Sequence, residues 1–181
     1  TTAVAPTHFG CVPRRGPDVA PLMTNRKLGA LVAFIAVSFL AAALGSAATT
    51  SAITTWYPTI SKPSWNPPNG VFAPVWTTLY LLMSIAAWRA WRAAATPAAA
   101  TKTLWLYAAQ LILNALWSVL FFTLHRPGLA LIEIILFLAL LITLQVRFAR
   151  TDRLAALLWS PYLAWVSFAT FLNGTIWWLN R

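Results

Sequence analysis

Apolar residues in this chain run in long unbroken stretches rather than alternating with polar ones. Leu28 to Ser61 carries no charge, nor does Pro63 to Trp88, nor Thr103 to Leu124. Pro127 to Val146 is interrupted only by Glu133, and Leu154 to Asn180 is uncharged throughout. A bilayer-spanning helix needs about 20 mostly apolar residues. The pattern therefore predicts five transmembrane helices, over 28–49, 71–91, 103–124, 127–147 and 154–179. A transmembrane β-barrel would alternate with a period of two, which these stretches do not. The predicted fold class is an all-α membrane protein, a five-transmembrane-helix bundle over 28–181.

Composition supports the same reading. Of 181 residues, 60% are hydrophobic and only 9% charged, with a mean hydropathy of +0.70. A soluble domain carries about a quarter of its residues as Asp, Glu, Lys or Arg. The net charge of +10 would suggest nucleic acid if it formed one basic face. It does not. With five spans, Arg14, Arg15, Arg26, Lys27, Arg89, Arg92, Lys102, Arg147, Arg150 and Arg153 fall on one side, ten of the 13 basic residues. Lys62, Arg126 and Arg181 fall on the other. Basic loops stay inside, so the N-terminus is expected inside and the C-terminus outside, with lipid rather than nucleic acid as partner.

The lone cysteine, Cys11, allows no intramolecular disulfide and no cysteine cluster. His8 and His125 lie far apart without carboxylates beside them, so no metal or other cofactor is expected. Residues 1–22 are proline-rich and aperiodic, and the first methionine is Met23. Residues 1–27 are expected to be a disordered leader or an artefact of start-codon choice. They lack the apolar centre of a signal peptide.

The first span is rich in small residues, Ala33, Ala41, Gly45 and Ala48 among them. These let helix backbones approach closely, within the chain or between two copies. The first loop, Trp56 to Gly70, holds two tryptophans and four prolines. Proline cannot continue a helix and biases its predecessor to extended backbone. The loop is either an interfacial aromatic anchor or a stiff lid over a cavity, and its proline density favours the lid.

Polar and aromatic stripes mark the inward faces. Trp76, Tyr80, Met83 and Ala87 recur at helical spacing in the second span. In the third, Tyr107, Gln110, Asn114, Trp117 and Phe121 fall within a sector of roughly 80°. In the fifth, Tyr162, Trp165, Ala169, Leu172 and Asn173 share one side, just after Pro161. Amides in hydrocarbon must be hydrogen-bonded, so these stripes face the interior. They form either an aromatic core or a flat-walled cavity for a large planar ligand with a few polar groups. Glu133, the one intramembrane acid, is either a functional group or a hydrogen-bonded structural one. No second carboxylate, Ser/His/Asp set or phosphate loop accompanies it, so hydrolytic and phosphoryl-transfer chemistry lack residues.

The segment from Trp56-Tyr-Pro-Thr-Ile-Ser-Lys-Pro-Ser-Trp-Asn-Pro-Pro-Asn-Gly70 through Trp76 to Tyr80 resembles the first loop and second helix of the translocator protein family, whose bacterial members are tryptophan-rich sensory proteins. Tyr107 to Phe122 resembles its third helix, and Ser160 to Asn173 its fifth. The resemblance covers about 28–180. It implies a five-helix bundle, usually a homodimer, with a pocket under the first loop for porphyrins, sterols and synthetic drugs. Carried over residue by residue, the pocket would use Trp65, Trp76, Asn114, Trp117, Trp165, Ala169, Leu172 and Asn173. Trp76 and Trp165 match the paired tryptophans implicated in light-dependent porphyrin breakdown. Here Leu172-Asn173 is followed by Gly174 where animal members carry tyrosine, so their proposed cholesterol motif is incomplete.

Overall fold

A computed structural model describes residues 25–181. Its helices are α1 (Asn25–Thr55), α2 (Asn69–Arg92), α3 (Pro97–Ser118), α4 (Pro127–Thr151) and α5 (Arg153–Leu179). A single π turn, Val119–Thr123, continues α3, and a short 3-10 turn at Tyr57–Thr59 lies in the first loop. Among the described residues there is no strand, and all five helices are long and apolar enough to cross a bilayer. The chain is a multi-pass membrane protein.

Local chemistry sets the helix ends. Thr96 caps α3, its side chain accepting from the Ala99 N–H at 3.1 Å, and Pro97 follows in the first turn. Proline suits that position because its missing N–H would be unpaired there anyway. Pro127 opens α4 in the same way. Asp152 ends α4 and caps α5, accepting from the N–H groups of Leu154 and Ala155 at 2.9 and 3.1 Å. It also pairs with Arg89 at 2.8 Å, tying the end of α2 to the α4–α5 turn. Burial pushes its carboxyl up, but the Ala155 N–H and the Arg89 guanidinium outweigh that and hold it below its usual value.

The span limits need correction at several ends. Helix α1 runs to Thr55, beyond the predicted limit at 49, because its polar last turns satisfy themselves. Thr49, Thr50 and Thr55 donate to the carbonyls of Gly45, Ser46 and Ser51 at 2.7, 2.7 and 2.8 Å. Helix α3 begins at Pro97 rather than 103, since an alanine-rich first turn is a good helix former whether or not it is in lipid. Helix α4 continues to Thr151 rather than 147. The predicted leader lies outside the described residues, except that 25–27 open α1.

Packing follows the small residues and the aromatics. Gly45 of α1 sits so close to α3 that an added Cβ would meet the Ser118 hydroxyl at 3.3 Å. The α4–α5 hairpin closes over Trp159, which meets Phe148 edge-on at 5.1 Å and donates from Nε1 to the Leu141 carbonyl at 3.3 Å. Leu40, Leu44, Ile112, Leu136 and Phe171 point outward. Such residues are at home against lipid tails, where no hydrophobic penalty opposes their exposure.

Candidate functional site

Between α1, α2, α3 and α5, at the end covered by the first loop, lies a cavity of about 270 Å³. Helix α2 contributes Asn69, Phe72, Ala73, Trp76 and Tyr80 to its wall. From α3 and its π turn come Asn114, Trp117, Ser118, Phe121 and Phe122. Helix α5 supplies Trp165, Phe168, Ala169, Leu172, Asn173 and Ile176, and Tyr57 closes the loop end. The lining is aromatic and uncharged, and its polar groups are amides and hydroxyls. An uncharged wall of rings stabilises a flat apolar ligand by contact area, while a few amides orient it.

The π turn explains one feature of this wall. Leu124 N–H donates to the Val119 carbonyl, five residues back, at 2.9 Å. Consecutive α-helical residues diverge by about 100°, whereas a π turn brings neighbours closer in direction. Phe121 and Phe122 consequently both reach the cavity.

The floor is a chain of hydrogen bonds. Tyr80 donates its phenol to the Asn114 side-chain carbonyl. The Asn114 amide donates to Tyr162 Oη at 3.0 Å, and Tyr162 donates to Gln110 Oε1 at 2.9 Å. Three helices are thereby joined through one asparagine. Higher on the wall, Trp117 Nε1 donates to Asn173 Oδ1 at 2.9 Å, and the Asn173 amide reaches the Pro127 carbonyl at 2.8 Å. The two wall amides are held in orientation before any ligand arrives.

The predicted site residues divide by depth. Trp76, Tyr80, Asn114, Trp117, Phe121, Trp165, Ala169, Leu172 and Asn173 all line the cavity. Tyr107, Gln110 and Tyr162 do not. They are buried within or beneath the floor, because the inward stripes of α3 and α5 continue past the cavity into solid core. Tyr107 there hydrogen-bonds Ser38 of α1. Met83 and Ala87, on the α2 stripe, are fully buried core. Trp65 also lies off the cavity, 42% exposed, stacked on Phe171 at 5.3 Å and edge-on to Phe168 at 5.9 Å. It fastens the loop to the outer face of α5. Glu133 is buried in α4, which contributes nothing to the lining, and neither carboxylate oxygen has a hydrogen-bond partner.

Sequence reasoning missed the α1 wall: Ala42, Gly45, Ser46, Thr49, Thr50 and Ile53. The small residues there were legible as a close-packing face, but a smooth cavity wall carries no aromatic signal. Ser46 and Thr50 of α1 and Asn69 and Ala73 of α2 are exposed as well as lining, so the cavity opens sideways between these helices.

The first loop is clamped from the far end of the chain. Ser61 N–H donates to Asn180 Oδ1 at 2.9 Å, and the Asn180 amide donates back to the Ser61 carbonyl at 2.9 Å. Trp56 stacks on His125 at 4.4 Å and packs edge-on against Phe121 at 5.7 Å. Asn180→Ala removes the reciprocal pair, worth about 1–2 kcal/mol. Ligand dissociation, followed by stopped-flow fluorescence, is expected to quicken about five- to thirtyfold while helix content is unchanged. An unaltered off-rate would show that the loop does not gate the cavity.

Comparison with known proteins matches the TspO/MBR family over residues 34–179. The chain is 41% identical over 125 residues to the tryptophan-rich protein TspO of Chlorobaculum tepidum, covering 69% of this chain and 79% of that one. It is 42% identical over 126 residues to protein CrtK of Rhodobacter capsulatus, covering 69% and 78%. It is 38% identical over 123 residues to the human translocator protein, covering 67% and 73%.

Proposed function

The chain belongs to the TspO/MBR family, and from that premise we propose that it is an integral membrane receptor or carrier for tetrapyrroles such as protoporphyrin IX. The observation that carries this reading is the cavity itself. Trp76, Trp117 and Trp165 stand around one space, above a floor amide already held by hydrogen bonds. Rings of this kind bury the face of a macrocycle, and Asn114 and Asn173 offer polar contacts to its edge. The ten-to-three division of basic residues supports an N-terminus inside and a C-terminus outside. Assembly as a homodimer, in a bacterial inner or outer membrane, is part of the same reading and rests on the family resemblance.

The second reading is enzymatic. Trp76 and Trp165 both face the cavity, so each stands beside any bound macrocycle. Under light, and with dioxygen as oxidant, they would serve as redox-active side chains in porphyrin breakdown.

Titrating the purified protein with protoporphyrin IX, in the dark and under illumination, separates these readings by tryptophan fluorescence and porphyrin absorbance. Saturable quenching is expected in the dark, for the wild type and for Trp76→Phe and Trp165→Phe alike. Light-dependent bleaching that either variant loses would favour the enzyme. Absence of saturable quenching in every condition would sink the receptor reading.

A further inference from the structure

The cavity wall contains no charged side chain, yet a tetrapyrrole such as protoporphyrin IX carries two carboxylates. At about 270 Å³ the cavity is also smaller than the ~300–1,000 Å³ usual for pockets that enclose a drug-sized ligand. A macrocycle seated there leaves one edge outside. Desolvating an ionised carboxylate without a partner is costly, so the acidic edge must be the one left outside the wall, toward the loop end where water and headgroups can solvate it.

Among the described residues, three basic ones occupy this end of the molecule. Arg181 is stacked over the Trp178 ring, its guanidinium carbon 3.0 Å from the ring centre, and Arg126 is exposed at the α3–α4 turn. Lys62 differs. Its ammonium lies in the first loop, half-buried, and donates to the carbonyls of Tyr57 and Ile60 at 2.6 and 2.7 Å. It also sits 4.9 Å from the centre of the Tyr57 ring, and Tyr57 is part of the cavity wall. The loop is thus folded around the ammonium, holding it on the Tyr57 ring just outside the cavity lining rather than letting it trail into water.

An ammonium has three N–H donors. Two are spent on the loop carbonyls, which leaves one. Among the described residues no carboxylate meets it, because the one ion pair joins Arg89 to Asp152 at the opposite end of the bundle. Carbonyl groups and a ring face orient a cation without neutralising it. A fixed, unneutralised charge with a spare donor beside an apolar cavity is suited to an anionic group at the rim.

We propose that Lys62 is the carboxylate anchor of the cavity, so that its ligands are flat macrocycles with an acidic edge, held with that edge toward the first loop. This rests on the reading that the cavity takes a tetrapyrrole, and it adds the orientation and the acid requirement. The second carboxylate of a diacid remains in the headgroup region, where water and lipid solvate it.

Protoporphyrin IX and its dimethyl ester have the same ring and differ in charge at the edge. Both are titrated in the dark, in the same detergent, against the wild type, Lys62→Met and Lys62→Arg. A charge-assisted contact corresponds to about tenfold in affinity. The ratio of diacid to diester affinity is therefore expected to fall about tenfold in Lys62→Met and to be largely retained in Lys62→Arg. Loosening of the loop by the methionine would weaken both porphyrins together and cancel in the ratio, as does any difference in micelle partition. An unchanged ratio in Lys62→Met overturns the anchor while leaving the cavity standing. Failure of both porphyrins to bind the wild type removes the cavity reading and the anchor with it.

Discussion

Asn114→Ala is expected to lower the unfolding temperature of the purified protein by about 5–10 °C and to weaken porphyrin binding at least tenfold. The asparagine accepts from Tyr80 of α2 and donates to Tyr162 of α5, so its loss strands the Tyr80 phenol and leaves Tyr162 only its bond to Gln110. A stranded polar group costs about 1–3 kcal/mol, and the lost Asn114–Tyr162 bond adds to it. Single interhelical hydrogen bonds in membrane bundles average only ~0.6 kcal/mol, so the large effect here comes from two being lost at one residue. For a chain of this length about 1 kcal/mol corresponds to about 2–4 °C. Gln110→Leu is the control. Gln110 takes part in the same chain but lies below the cavity, so it should lower the unfolding temperature and leave affinity within twofold. Circular dichroism melts and fluorescence titrations read the two effects separately. Equal loss of binding in both variants would mean that the floor matters only through stability.

Filling the cavity should be at least as damaging to binding and harmless to the fold. Ala169 stands on α5 between Trp165 and Asn173, with its methyl group toward open space. Ala169→Phe places a ring where the proposed ligand would lie. Affinity for protoporphyrin IX is expected to fall more than a hundredfold, with the unfolding temperature unchanged or raised. A packed aromatic core would respond in the opposite way, since overpacking costs about 1–3 kcal/mol. A lowered melting temperature with unaltered affinity would therefore identify the stripe as core and not cavity.

The helices were legible because hydrocarbon imposes a length and forbids charge, and both are written along the chain. Trp76, Asn114, Trp165 and Asn173 were legible because aromatic and amide groups stand out against aliphatic ones at helical spacing. Depth was not. Tyr107 and Gln110 obey the same periodicity as Asn114 and Trp117, and periodicity records direction around a helix, not where an open space ends along it. The α1 wall was invisible for a related reason, since Ala42, Gly45 and Thr49 look alike whether they face a cavity or a neighbouring backbone. Trp65 was placed in the pocket by family resemblance. The structure puts it on the outside of α5, where Phe171 offers a flat partner.

The π turn at the end of α3 makes the wall unusually sensitive to chain length. A π turn amounts to one residue more than an α-helix would use over the same rise. Removing a single residue from Val119–Thr123 would let α3 finish as an ordinary helix with its hydrogen bonds intact. The topology would survive, but Phe121 and Phe122 could no longer both face inward, and the wall would lose a ring. Between relatives, a one-residue gap at this point would thus be a change of cavity surface disguised as a change of loop length.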